Sequence, residues 1–324
     1  MDTRGTFAQG VGRRVGVLDV SPVGLGCNNF GRRLDEAGAR CVVDAALAAG
    51  VTHFDTADIY GDGVSETFLG RALAGRREGV VVTTKFGMGR LPEGLTGGDP
   101  RWVRRACDRS LRRLGHAPID LYLLHRPDPT VPVGETLGAL NLLIEQGKAR
   151  EIGCSNFSAE QLREAHDVAG TAGLRGFACV QNEYSLLHLS PRDGVLAACD
   201  ALGIGFVPYF PLASGLLSGK YRQGRPLPTG TRLTGGDDGR AAELVATRLA
   251  VVERLARYAE RHGHTLLELS LSYLASQPGV VSVIAGAMNP AQVQDNVAAV
   301  GSWPLTADEL TEVERLAGTP PHDG

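Results

Sequence analysis

The feature that most constrains this chain is a rhythm that repeats from residue 23 to residue 300. A short apolar run is followed by a loop and then by a segment with apolar residues at three-to-four spacing. Eight strand-like runs stand at residues 23–26, 51–54, 80–84, 119–124, 149–154, 177–181, 205–209 and 280–284. Runs of this length, rich in β-branched residues, read as parallel strands buried on both faces. Helix-like segments lie between them, as at 37–49, 100–114, 133–146, 159–169 and 193–202, with Ser158 and Ser190 at N-cap positions. Strands alternating with helices imply a parallel sheet, and eight is the number that closes into a barrel. The expected fold is α/β: a single (α/β)8 TIM barrel, one domain over residues 1–324, with long loops at its C-terminal face. A doubly wound open sheet is the alternative.

In a parallel barrel all strands end on one face, and that face carries the chemistry. Asp55, Lys85 and His125 stand at the carboxyl ends of three runs, and Tyr60 follows Asp55 in the next loop. Four proton-handling side chains far apart in sequence are thereby expected to converge. Two Gly-rich stretches, 86–99 and 211–240, interrupt the rhythm at the same face and read as binding loops. Residues 318–324 read as a frayed tail.

Composition narrows the classes. A net charge of -3 gives no electrostatic case for nucleic acid or an anionic membrane as partner. No apolar run approaches the roughly 18 residues of a membrane span, and residues 1–5 lack the apolar core of a signal peptide. The six cysteines show no Cys-x-x-Cys spacing, so no zinc site or redox pair is indicated, and buried reduced thiols suit a cytoplasmic protein. Only three of the 33 basic residues are lysines (Lys85, Lys148 and Lys220), which invites a reason for each, such as a compact ammonium beside a titrating group.

A tyrosine titrates near ~10 and is a poor proton donor at neutral pH. An adjacent ammonium lowers that value, and a carboxylate holds the ammonium in place. Tyr60, Lys85 and Asp55 supply these parts, and His125 can hydrogen-bond an oxygen beside the phenol. The set describes proton delivery to a carbonyl oxygen, which requires a hydride on the carbon. With no metal or flavin motif, a nicotinamide cofactor is the natural source.

Five segments then carry a resemblance. Residues 54–61 (Phe-Asp-Thr-Ala-Asp-Ile-Tyr-Gly), 84–87 (Thr-Lys-Phe-Gly), 124–127 (Leu-His-Arg-Pro), 153–157 (Gly-Cys-Ser-Asn-Phe) and 180–184 (Val-Gln-Asn-Glu-Tyr) resemble the signatures of aldo-keto reductases, in family order and spacing. The resemblance runs from about residue 13 to residue 317. It implies a barrel that binds NADP or NAD in extended form without a Rossmann motif. Consistently, 24–29 (Gly-Leu-Gly-Cys-Asn-Asn) lacks the third glycine of that motif. By resemblance, Tyr60 is the general acid, Lys85 and Asp55 tune it, and His125 orients a small-molecule carbonyl or alcohol substrate. Ser155, Asn156 and Gln181 would hold the carboxamide, and Tyr209 would stack on the nicotinamide. Gly26, Cys27, Asn28 and Asp55 would also border the cofactor.

The segment 211–221 is similar to the family's pyrophosphate-covering loop, in the form shared by bacterial reductases and potassium-channel β subunits. It puts Pro211, Leu212, Ala213, Gly215, Leu217 and Lys220, with Phe210 just before them, beside the cofactor. The adenosine end falls on Ile284, Gly286, Ala287, Met288, Gln292, Asp295 and Asn296. Many members carry a lysine or arginine there to grip a 2′-phosphate, whereas Gly286, Ala287, Met288 and Gln292 are uncharged. NADP is expected on family habit. The uncharged segment also suits an NAD-linked sugar or pyridoxal-type dehydrogenase running toward oxidation. A cofactor-sensing regulatory subunit is the reading from another class. Loops 27–35, 86–99 and 211–240 would set specificity, with Asn28, Asn29, Phe30, Phe86 and the Trp102 region as pocket candidates.

Overall fold

The structure is a computed structural model that describes residues 13–229, 231, 233 and 239–318. The segment at residues 1–5, the tail residues 319–324 and part of the 211–240 loop lie outside the described residues. The chain opens with a hairpin of β1 (Arg13–Val15) and β2 (Leu18–Val20). Eight parallel strands then close a barrel: β3 (Val23–Gly26), β4 (His53–Asp55), β5 (Val81–Phe86), β6 (Ile119–Leu124), β7 (Ala149–Ser155), β8 (Cys179–Glu183), β9 (Gly205–Tyr209) and β10 (Val283–Gly286). The ring runs β10-β3-β4-β5-β6-β7-β8-β9 and returns to β10, so the expected (α/β)8 barrel is present and the open sheet is excluded.

Helices cover the outside: α1 (Glu36–Ala48), α2 (Val64–Ala72), α3 (Pro100–Leu114), α4 (Val133–Glu145), α5 (Ala159–Ala172), α6 (Val195–Leu202), α7 (Gly239–Arg261), α8 (Leu266–Ala275), α9 (Pro290–Ala299) and α10 (Ala307–Gly318). Their starts have local causes. The Asp35 carboxylate accepts from Gly38 N–H at 2.8 Å, and Ser158 and Gln161 form a reciprocal capping box at the start of α5. Ser190 does not cap α6: it opens a separate single turn, where its hydroxyl pairs with His188 Nε2 at 2.7 Å, and Gly194 stands at the cap instead.

Two apolar layers hold the barrel. The outer one lies between strands and helices and includes Phe54, Phe86, Tyr122, Trp102 and Phe206. The inner one fills the barrel with Val81, Leu121, Leu123, Cys179, Val207 and Ile284, and Val15, Leu18 and Val20 of the hairpin join it. The hairpin thus plugs the barrel, and Val17 N–H binds the Glu151 carboxylate of β7 at 3.0 Å. Gly153 is required by close approach, since a Cβ there would stand 2.8 Å from the backbone oxygen of Cys179. Five of the six free cysteines are buried and Cys41 is exposed. No described helix is long and apolar enough to cross a membrane.

Candidate active site

Strand alternation delivers the central group. On β4, Phe54 turns outward to the helix layer while His53 and Asp55 turn inward; on β5, Thr83 and Lys85 turn inward and Phe86 stacks outside on Tyr122 at 4.6 Å. Asp55 and Lys85 therefore belong to the strands themselves rather than following them: Asp55 pairs in register with Gly26 of β3 and Thr83 of β5, and Lys85 with Leu123 of β6. Lys85 Nζ donates to Asp55 Oδ2 at 2.7 Å and to the Thr56 carbonyl at 2.8 Å, with both side chains buried. Gln181 Nε2 donates to Asp55 Oδ1 at 2.9 Å. Tyr60 begins a short 3-10 turn (Tyr60–Gly63), and its ring centre lies 5.2 Å from Lys85 Nζ. The His125 ring meets it edge-on at 6.1 Å.

The electrostatics differ from expectation at one point. Burial pushes the Tyr60 phenol up, and this outweighs the pull of Lys85, whose field is partly cancelled by Asp55. The phenol is thus held protonated rather than poised as a phenolate. Burial works against the Lys85 ammonium, but Asp55 and then Tyr60 raise its pKa on balance, so it stays charged. Burial, then Lys85 and Arg126, press His125 down to about 3, which makes it a neutral imidazole at pH 7. Its Nδ1 is buried and has no hydrogen-bond partner among the described residues. Deeper in the barrel, His53 is pushed to about 4 by burial and bridges Ser282 Oγ and Thr83 Oγ1 at 3.0 and 2.8 Å.

Around this group the polar residues of β7 and β8 bind one another. Ser155 Oγ donates to the Gln181 carbonyl at 2.7 Å. Asn156, in the left-handed region at φ 63°, donates from Nδ2 to the His125 carbonyl at 2.9 Å and accepts from the Tyr209 hydroxyl at 2.7 Å. The ring of Phe210 stands edge-on to Tyr209 at 5.2 Å.

A cavity of about 1010 Å³ opens above the group, and Asp55, Tyr60 and His125 line it. Gly26, Asn28, Ser155, Asn156, Gln181 and Tyr209 stand on its wall. So do Phe210, Pro211, Leu212, Gly215 and Lys220 of the loop after β9. Beyond β10, Ile284, Gly286, Ala287, Met288, Gln292, Asp295 and Asn296 complete it. Four residues from the sequence set do not reach it: Lys85 lies beneath Asp55 and Tyr60, Cys27 and Leu217 are fully buried core, and Ala213 is off the lining. Asn29 lines the cavity as expected, whereas Phe30, Phe86 and Trp102 are packed into the outer core. Sequence reasoning missed Arg32, Arg33, Ile59, Met88, Ser214, Ser218, Thr231 and Leu267 as individual lining residues. The arginines carried a usable signal, two adjacent cations in a loop at the chemical face. Leu267 carried none, being one apolar position on an amphipathic helix. Among the described residues no group of three or more His, Cys, Asp or Glu is arranged to hold a metal ion.

The sequence model of the Aldo/keto reductase family matches residues 22–317. Among solved structures, the chain is similar to aldo-keto reductase AKR11C1 from Bacillus halodurans in its holo form, at 32% identity and a TM-score of 0.73 over 94% of this chain and 95% of that one. Extent, identity and shared barrel agree: the chain belongs to the aldo/keto reductase family, which carries out NAD(P)-dependent carbonyl reduction.

Proposed function

We propose that this protein reduces a small-molecule aldehyde or ketone with Tyr60 as the proton donor and NADP as the preferred cofactor. The observation that carries the reading is the Asp55–Lys85–Tyr60 arrangement at the floor of the cavity with neutral His125 beside it. The cavity suits an extended dinucleotide. Its volume is about 1010 Å³, Tyr209 and Phe210 give it an aromatic wall, and Asn28, Gln292, Asn296, Arg32, Arg33 and Lys220 give it polar and cationic groups.

A nicotinamide dinucleotide bound there supplies the hydride that goes to the carbonyl carbon. The chain's own residues handle the oxygen. Charge that builds on it is met by the Tyr60 proton, held on the phenol by burial until the acceptor becomes basic. Lys85, fixed by Asp55 and the Thr56 carbonyl, stabilises the tyrosinate that remains. As a neutral imidazole, His125 can donate a hydrogen bond to the same oxygen without bringing in a second positive charge. Replacement of Tyr60 by Phe keeps the ring and removes the proton. Turnover of a simple aldehyde, followed by NADPH consumption, is expected to fall roughly 10²–10⁴-fold, while NADPH still quenches protein fluorescence. Full activity in Tyr60→Phe overturns the assignment.

One observation favours a second reading. The segment from Gly286 to Gln292 carries no cation, which suits an NAD-linked member oxidising sugars or other alcohols. Faster NAD reduction by sugar alcohols than NADPH oxidation by aldehydes selects that direction.

A further inference from the structure

The turn that carries Tyr60 does not support itself. After Tyr60 the backbone is left-handed at three successive residues, Gly61 (φ 56°), Asp62 (φ 53°) and Gly63 (φ 90°). Asp62 is strained there, because a side chain disfavours that region. Helix α2 follows at once with Gly63 at its cap position, and among the described residues no side chain caps it. Tyr60 is therefore held by whatever fixes the start of α2.

Two polar residues fix it, Ser65 and Glu66, and both are fully buried. Ser65 Oγ donates to the Cys27 carbonyl at 2.9 Å, so at 2.8 Å it accepts from the Thr56 hydroxyl. The carbonyl of the same Thr56 holds Lys85 Nζ at 2.8 Å. Glu66 reaches the next strand. Its Oε1 accepts from Thr84 Oγ1 at 2.6 Å, and Thr84 adjoins Lys85 on β5 with its side chain on the opposite face. Its Oε2 accepts from Arg113 Nε of α3 at 2.5 Å. The Arg113 stem lies against the turn itself, since a Cβ on Gly63 would stand 2.6 Å from Arg113 Cδ. The first turn of α2 thus ties the segment leaving Tyr60 to both neighbours of the Lys85 ammonium, Thr56 and Thr84. A buried ion pair adds little to stability, because apolar side chains of like volume often serve a fold as well. What its directional bonds supply is position.

We propose that Ser65 and Glu66 are positioning residues for the reaction: they set the height of Tyr60 over Lys85 and act on proton transfer only through that pair. The inference rests on the reading of Tyr60 as the proton donor.

The test is a double-mutant cycle on the single-turnover rate of NADPH oxidation with a simple aldehyde. Ser65→Ala and Glu66→Gln are each made in the wild type and in Tyr60→Phe. In the wild type each is expected to slow the step roughly tenfold, because a misplacement on the order of 1 Å is strongly felt between reacting groups. The dissociation constant of NADPH, read by fluorescence quenching, and the KM of the aldehyde are expected to move less than threefold. In Tyr60→Phe the same substitutions are expected to change the residual rate less than twofold, because the proton they position is gone. Slowing of equal size in both backgrounds overturns the proposal, as does an unchanged rate in the wild type. Where Glu66→Gln does not fold, Ser65→Ala, which leaves no charge unpaired, decides the outcome. If Tyr60→Phe alone turns over at the wild-type rate, the proton-donor reading itself fails and the positioning role falls with it.

Discussion

Gln181 and Asp55 face each other across the mouth of the barrel, joined by a 2.9 Å hydrogen bond from Gln181 Nε2 to Asp55 Oδ1. Their strands, β8 and β4, lie four places apart in a ring of eight, so this bond spans the full diameter. It completes the Asp55 carboxylate, whose other oxygen holds Lys85. Gln181 therefore also supports the group that keeps Lys85 in place beneath Tyr60. Replacing it with Ala leaves a buried carboxylate oxygen unsatisfied, at a cost of about 1–3 kcal/mol. Urea unfolding of Gln181→Ala at pH 7 is expected to show that loss. An unchanged midpoint would mean that water replaces the amide.

Asp58 lies between Asp55 and Tyr60 in the chain, and its N–H binds the Lys85 carbonyl at 3.1 Å. Burial, then the nearby Glu66, pushes its carboxyl up to about 7 against Arg113 and Arg109. The folded state therefore keeps a proton that the unfolded chain gives up near pH 4, and stability falls as pH rises from about 4 to about 7. An amide imitates the protonated carboxyl without this penalty. Asp58→Asn is expected to stabilise the protein by about 1–2 kcal/mol at pH 7.5 and by nothing at pH 4. A destabilised variant at pH 7.5 would show instead that the ionised carboxylate is the favoured form.

Three histidines carry the opposite sign. Burial is the first cause in each, holding His53 and His116 at about 4 and His125 at about 3, against an ordinary 6.5. Below pH 6.5 the unfolded chain takes up protons that the folded one refuses, so stability is lost as pH falls. Each histidine contributes about 2 kcal/mol of that loss by pH 4.5. His116 is not among the residues that line the cavity, and it is partly buried. His116→Leu should therefore flatten the decline between pH 6.5 and 4.5 by about that amount. A parallel decline would remove His116 from the account.

The barrel was legible because its strands are buried on both faces and read as unbroken apolar runs. Strand bounds were less so. Apolar runs at 51–54, 177–181 and 280–284 correspond to strands at His53–Asp55, Cys179–Glu183 and Val283–Gly286, each displaced toward its carboxyl end. Asp55, Asn182 and Glu183 pair in the ladder although nothing apolar marks them. The hairpin of β1 and β2 went unread because two three-residue strands make too short a pattern. Asp55, Lys85 and His125 were legible as strand-end residues, and Tyr60 as a residue of the loop that follows Asp55. The upward shift of Tyr60 was not, because it depends on how far burial outweighs one ammonium, which only the packed structure decides.

Asn156 joins three parts of the site through one side chain and one unusual backbone angle. Its amide reaches the His125 carbonyl and the Tyr209 hydroxyl, and its N–H binds Asn182 Oδ1 at 2.7 Å. All this depends on φ near 63°, which asparagine tolerates better than most residues. Glycine keeps the angle and loses the side chain, whereas alanine loses the side chain and is strained at the angle as well. Asn156→Ala should therefore unfold more easily than Asn156→Gly by about 1 kcal/mol. Both should weaken NADPH binding to the same extent, because both release His125 and Tyr209. Denaturation midpoints and quenching titrations on the pair separate the two effects. If only Asn156→Ala lost affinity, the backbone angle alone would organise this part of the site, and the hydrogen bonds of the amide would add nothing to it.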